Sequence, residues 1–322
     1  MVQMEKAVIA PPTLRPEERY FGFDRYLRRR FGTKVYKVTL DASFTCPNRD
    51  GSKGVGGCTF CNNEGFSVNS RQDRAAKSIE QQMLEGMQFK RRRYKAEKFI
   101  AYFQAYTNTY GSVEHLKDLY DRALSFPDVV GLDIGTRPDC APDDVLDLIE
   151  SYTRRCEVWL EYGLQSSHDR TLDLINRGHD FACFLDAMRR TRGRGIHICV
   201  HVILGLPGES REDMLETARR LSQVEYQGLK IHLLHILRRT PLEKQYHQGQ
   251  IRLLEQEEYA SLVVDFLEWV PPHVTIQRLS ADAPPYSLVA PQWCLRKASV
   301  LESIHREMEQ RDFYQGCRTE SG

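Results

Sequence analysis

No apolar run in these 322 residues approaches the roughly 20 that a membrane-spanning helix needs. The opening stretch, MVQMEKAVIAPPTLRPEERY, lacks a cleavable apolar segment, because prolines and charges follow a very short apolar run. Net charge is almost absent at +1, so no global field draws the chain to nucleic acid or membrane, and such binding needs a local patch. Low-complexity tracts and sequence repeats are missing too. The nine cysteines are an odd number and lack the spacing of a stapled secreted domain. These absences point to a soluble protein of a reducing cytoplasm, with neither membrane nor DNA as partner. The hydrophobic content of 41% is enough to build a core.

What is present is an alternation. Strand-like runs VYKVTL (35–40), KFIAYFQAY (98–106), VVGLDIGTR (129–137), CEVWLEYGLQS (156–166), HICVHVILGLP (197–207) and GLKIHLLHIL (228–237) are separated by helix-like runs such as 78–94 and 142–155. Such units predict a parallel α/β sheet covered by helices, either doubly wound or a full or partial barrel. Either way, function belongs at the strands' C-terminal ends. Residues 1–20 read as a flexible leader, 21–250 as the core, and 251–322 as a mainly helical C-terminal extension.

The loop TCPNRDGSKGVGGCTFCNNEGF, within an expected cysteine loop 41–66, holds Cys46, Cys58 and Cys61. A structural zinc site normally takes four Cys or His ligands, and the loop offers no fourth. A redox CxxC needs only Cys58 and Cys61 and leaves Cys46 unexplained. Three thiolates on a four-iron cluster account for both the count and the missing ligand. The remaining cysteines are scattered without ligand spacing. His232 and His235 are expected on opposite faces of a strand, and His197 and His201 roughly 13 Å apart, so none of these pairs reads as a metal site.

With its later phrases GTRPD, EYGLQS, INRGH and ILGLPGE, this loop resembles the radical S-adenosylmethionine (SAM) superfamily, in particular its Elongator-like and coproporphyrinogen-dehydrogenase-like branch. CPNRDGSKGVGGCTFCN, taken with AYFQAYTNT, GTRPDC, INRGHDFAC and APQWC, is similar to one bacterial subfamily of that branch. The eleven residues between Cys46 and Cys58 depart from the superfamily's usual CxxxCxxC. The resemblance implies a partial (β/α)6 barrel and an enzyme that reductively cleaves SAM to a 5′-deoxyadenosyl radical. Its cofactors would be a 4Fe-4S cluster on Cys46, Cys58 and Cys61, and SAM on the open iron. An electron donor such as flavodoxin or ferredoxin would feed the cluster.

By position, Phe60 would border the adenine and Gln104, Ala105, Tyr106 and Thr107 the methionyl amine. Glu161, read as the end of its strand, and Gln165 would take the ribose hydroxyls. Arg177 would meet the SAM carboxylate, and Gly205 and Pro207 would let backbone approach the adenine. No residue is assigned to hydrogen-atom transfer. The resemblance implies a tRNA substrate, because Elongator-like members modify wobble uridines and this subfamily looks associated with maturing the uridine C5 aminomethyl-type side chain. The basic runs YLRRRF (26–31) and KRRRYK (90–95) are candidate phosphate contacts. A small metabolite or porphyrin substrate, and a non-enzymatic iron- or zinc-binding regulator, remain alternatives.

Overall fold

The computed structural model describes residues 18–62, 77–281 and 283–319. Most of the expected leader, and residues 63–66 of the expected cysteine loop, lie outside the described residues. Strands β1 (Val35–Leu40), β2 (Lys98–Phe103), β3 (Val129–Thr136), β4 (Glu157–Gln165), β5 (His197–Leu204) and β6 (Gly228–Leu233) lie side by side in chain order, all parallel. Beyond the short β7 (Ile236–Leu237), strand β8 (Thr275–Arg278) adds parallel to β6, and β9 (Leu288–Ala290) pairs antiparallel with β7.

The helices are α1 (Phe23–Phe31), α2 (Ile79–Tyr94), α3 (Val113–Ala123), α4 (Asp143–Tyr152), α5 (Asp169–Leu174), α6 (Phe181–Thr191), α7 (Arg211–Ser222), α8 (Pro241–His247), α9 (Gln256–Leu267) and α10 (Lys297–Gln310). Ser78, Ser112, Asp180, Ser210 and Thr240 start α2, α3, α6, α7 and α8 by accepting a first-turn amide, which fixes where each crossover leaves its loop.

The sheet is curled. β1 and β8 are its two edges, six strand spacings apart, or about 29 Å on a flat sheet. Even so, Lys37 Nζ on β1 donates to Gln277 Oε1 on β8 at 2.6 Å. Only a concave sheet brings those side chains together, and the result is a half-barrel with a polar interior. Its outer face carries the continuous core, from Val38 and Phe103 through Tyr162 and Ile231 to Val263, Ile276 and Ile304.

The C-terminal segment is mainly helical, with α9 and α10, and also adds one strand to the wall. β8 comes from residues beyond 250, and the core runs without a break across that position. Sequence reading missed β8 because four residues are too few to show a period. Residues 18–20 are also packed rather than loose, with Arg19 Nη1 donating to Asp312 Oδ1 at 2.7 Å and the Gln315 amide to the Arg19 carbonyl at 3.0 Å.

α1 closes the N-terminal end of the barrel. Tyr26 OH donates to Glu157 Oε1 at 2.5 Å, Arg30 Nε to Glu157 Oε2 at 3.1 Å, and the Ile276 amide to the Phe21 carbonyl at 2.8 Å. Both basic runs sit at this end. YLRRRF belongs to α1. KRRRYK ends α2 just before β2 begins, where Arg91 pairs with Asp128 and Tyr94 stacks on Tyr36 with centroids 4.9 Å apart. The two runs given as candidate phosphate contacts thus lie at the strands' N-terminal ends, because α2 returns from the top of β1 to the bottom of β2.

Candidate active site

At the opposite end, the strands' C-terminal ends and the cysteine loop enclose a cavity of about 220 Å³. Cys46, Cys58 and Cys61 all line it. The loop turns tightly after Cys46, whose carbonyl accepts the amides of Arg49 (2.8 Å) and Asp50 (3.2 Å), and again where the Cys61 amide donates to the Cys58 carbonyl at 2.9 Å. The INRGH segment after α5 pins it in place. Asn48 Nδ2 donates to the Asn176 carbonyl at 2.5 Å, Asn176 Nδ2 to the Gly57 carbonyl at 2.8 Å, and the Thr59 amide to the Ile175 carbonyl at 2.9 Å. Gly178, at φ 74°, lets the segment pass; a Cβ there would lie 2.9 Å from Asn48 Oδ1.

The donor set fits a polynuclear iron–sulfur group and not a single ion. Tetrahedral zinc at 2.3 Å from sulfur requires sulfurs about 3.8 Å apart. Among the described residues the only ligand group within 4.8 Å is Glu161, Cys199 and His201, so the three loop sulfurs are spread more widely than one ion allows. Three thiolates on three separate irons tolerate that spread. Without a cation, burial and then the neighbouring Cys58 push the Cys61 thiol up to about 12, so a metal must displace that proton. The Glu161–Cys199–His201 group is no cation site itself, because Lys230 and Lys37 already occupy the carboxylate.

Two buried arginines face the cysteines. Arg177 Nη1 donates to Cys58 Sγ at 3.6 Å and Nη2 to the Gly163 carbonyl, while its Nε has no partner among the described residues. Gly163 makes that approach possible, since a Cβ there would lie 2.8 Å from Arg177 Nη2. Arg177 is buried and is not a solvated helix end. Arg137, in GTRPD, is clamped by Asp139 at 2.9 and 3.0 Å and leaves Nη1 without a partner among the described residues. GTRPD stands out in the sequence, but nothing local to it singles out Arg137.

Phe60, Gln104, Tyr106, Thr107 and Gln165 line the cavity. Tyr106 (φ 64°) and Gln165 (φ 78°) hold left-handed backbone, which is uncommon for residues with a side chain. Ala105 is buried behind them and is not part of the lining. Gly205 and Pro207 also miss the cavity. The positive-φ turn at Gly205 packs against Leu254, 3.3 Å from where a Cβ would sit, so the expected backbone approach to a ligand is absent.

Glu161 requires the largest correction. β4 continues four residues past it to Gln165, so Glu161 lies mid-strand, on the cavity floor. Oε1 accepts from Lys230 Nζ (2.5 Å) and Lys37 Nζ (2.9 Å), and Oε2 from Lys230 Nζ (2.5 Å), Tyr102 OH (2.7 Å) and His201 Nε2 (2.9 Å). Five bonds exhaust the roughly four lone-pair sites of a carboxylate, so none is left for a ribose. Burial alone would raise this carboxyl, but Lys230 and Lys37 hold it well below the usual range. Burial, with Glu161 nearby, pushes Asp133 up to about 7, and burial brings Lys230 down to about 8.

The histidines converge more than expected. β6 ends at Leu233, so His235 is off the strand, and His201, His232 and His235 all line the cavity. The rings of His201 and His232 stack with centroids 5.2 Å apart.

Comparison with known proteins gives the same picture. The family model described as "Radical SAM superfamily" matches residues 46–221, and "Radical_SAM C-terminal domain" matches 226–310. YtqA of Bacillus subtilis (strain 168) is 44% identical over 310 residues, 95% of this chain and 94% of its own. A "tRNA uridine(34) acetyltransferase" of Dehalococcoides mccartyi (strain CBDB1) is 29% identical over 212 residues, 65% of this chain but 44% of that protein. Among solved structures, the Elp3 of archaeal Methanocaldococcus infernus superposes with a TM-score of 0.67 at 16% identity, covering 87% of this chain and 64% of that one.

Proposed function

The chain belongs to the radical SAM superfamily, and we propose that it acts on tRNA, completing the C5 aminomethyl-type side chain of a wobble uridine. The observation that carries this is the cavity itself, which runs from the three cysteines down into a polar barrel interior and opens at the strands' C-terminal ends. When bound, the cluster supplies the electron that cleaves the sulfonium of SAM. Flavodoxin or ferredoxin would be the reductant.

The chain's own residues do the rest. Cys46, Cys58 and Cys61 hold the cluster. Gln104, Tyr106 and Thr107 at the end of β2 border the methionyl part of SAM, Gln165 the ribose and Phe60 the adenine. Arg177, whose Nε has no partner among the described residues, takes the carboxylate while its Nη1 donates to Cys58 Sγ. The wall of helices and the loop exclude water. A base would enter flipped from its loop, past the exposed Arg238 and Arg239, which follow β7 beside the cysteine loop; Asn62 Nδ2 donates to the Arg238 carbonyl at 2.8 Å.

The kinship with a protein named for tRNA uridine 34 favours RNA. A second reading, a small metabolite, is favoured by the two basic runs facing away from the site. Nucleoside mass spectrometry of bulk tRNA from a strain lacking the protein decides between them. Wobble uridines whose side chain stops one step short support the tRNA reading, and a profile identical to wild type moves the substrate to a small molecule.

A further inference from the structure

We infer that Arg278 forms a subsite for a carboxylate carried by the substrate, on the β8 side of the cavity and distinct from Arg177. The sheet is irregular where Arg278 enters it. Along a regular strand, neighbouring side chains point to opposite faces. Between β6 and β8 the register slips, with Leu229 opposite Ile276 but Lys230 opposite Arg278. The extra residue, Gln277, and its neighbour Arg278 both reach the interior. Gln277 meets Lys37 there, and Arg278 lines the cavity. A bulge that re-aims a side chain next to a site is a recurring device in sheets.

Among the described residues Arg278 has no counter-ion. Lys37 pairs with Asp133 and Glu161, and Lys230 with Glu161, so two cations face two carboxylates. No hydrogen bond or ion pair is made by Arg278 among the described residues, so its charge is not matched there as those of Lys37 and Lys230 are. Its neighbours across the cavity, the stacked His201 and His232, do not add to that charge. Burial lowers His201 to about 4 and holds His232 well below the usual range, with Arg278 itself contributing to both. His232 Nε2 has no partner among the described residues.

A planar guanidinium fork beside neutral imidazoles matches a monoanion, and it binds a carboxylate through two parallel bonds. Arg278, half-buried, lies level with His201, three residues short of the end of β5. That the occupant belongs to the substrate rests on the proposed enzymatic function; the subsite itself rests on the geometry.

The test uses the full chain, reconstituted anaerobically with iron and sulfide, in a buffer free of small carboxylates and phosphate. Thermal midpoints are followed against acetate, glycinate and inorganic phosphate, and SAM affinity is measured alongside. Acetate should stabilise the wild type, and Arg278→Gln should need at least about tenfold more acetate for the same shift, with SAM affinity unchanged within about twofold. An acetate response that survives in the variant overturns the inference. So does stabilisation by phosphate but not acetate, and so does a loss of SAM affinity, which would make the carboxylate the cofactor's own. Arg278→Lys keeps the charge but not the fork and should respond severalfold more weakly than wild type. An unchanged response in that variant overturns the subsite even if the Gln variant fails to fold. None of these readouts involves RNA, so the subsite can fail while the tRNA reading stands, and the reverse.

Discussion

Arg177 and Cys58, 119 residues apart in sequence, meet at 3.6 Å between Nη1 and Sγ. That contact ties the INRGH segment to the cysteine loop and puts a permanent positive charge against one sulfur of the site. Asn48 makes the same junction from the other side, reaching the Asn176 carbonyl and, at 3.8 Å, Cys58 Sγ. A loop poor in core-forming residues is thereby given a fixed path, and the three sulfurs are spread over the mouth of one cavity.

The first prediction concerns iron. Cys46→Ala, Cys58→Ala and Cys61→Ala each abolish four-iron loading after anaerobic reconstitution, whereas Cys317→Ala, at an exposed position, loads fully. Iron and sulfide assays check this, and full loading in any of the first three removes that cysteine from the ligand set.

Glu161→Gln lowers stability by about 3–5 kcal/mol, the cost of removing one partner of a buried ion pair. The substitution preserves shape but leaves Lys230 against a neutral amide, with Asp133 the remaining carboxylate. Urea unfolding measures the loss. A change below about 1 kcal/mol would show that the carboxylate does not hold the two lysines.

The geometry also separates the two basic surfaces. Replacing Arg91, Arg92 and Arg93 with Gln leaves the salt dependence of RNA affinity unchanged, because they lie at the closed end of the barrel. Replacing Arg238 and Arg239 flattens the slope by about 0.7–0.9 for each phosphate no longer neutralised. Binding titrations at several salt concentrations decide the matter, and the opposite pattern would place RNA at the bottom of the barrel.

A pH effect follows from His179, a partly buried imidazole in INRGH. Burial and then Arg177 lower it from its ordinary 6.5 to about 3. The unfolded chain therefore binds a proton that the folded one does not over the window from about 6.5 down to 3, and stability is lost as pH falls through it. His179→Gln removes that term, flattening the decline by up to about 1.4 kcal/mol per pH unit below pH 6. Equal slopes in the variant and wild type would contradict the assignment.

The six long strands and the cysteine loop were legible in the sequence because they rest on local signals: apolar runs bounded by turns, and thiols at ligand spacing. β8 was not, since its four residues acquire meaning only by pairing with β6 across a slipped register. The same slip hid Arg278, and the end of β6 at Leu233 hid the convergence of His232 and His235. Glu161 was misplaced because an apolar run does not reveal where along a strand the barrel floor lies. Its partners Lys37, Tyr102, His201 and Lys230 come from four other strands. Gly205 looked like a ligand-facing turn for the same reason: its φ is local, but whether Leu254 covers it is tertiary.

The central claim is that the three-cysteine cavity performs reductive cleavage of SAM. The most direct measurement is the yield of 5′-deoxyadenosine when the anaerobically reconstituted chain is given SAM and dithionite. The account predicts 5′-deoxyadenosine and methionine from the wild type, and neither above background from Cys58→Ala. An iron-loaded wild-type protein that binds SAM and yields no 5′-deoxyadenosine, or a Cys58→Ala variant that yields as much as wild type, would contradict it.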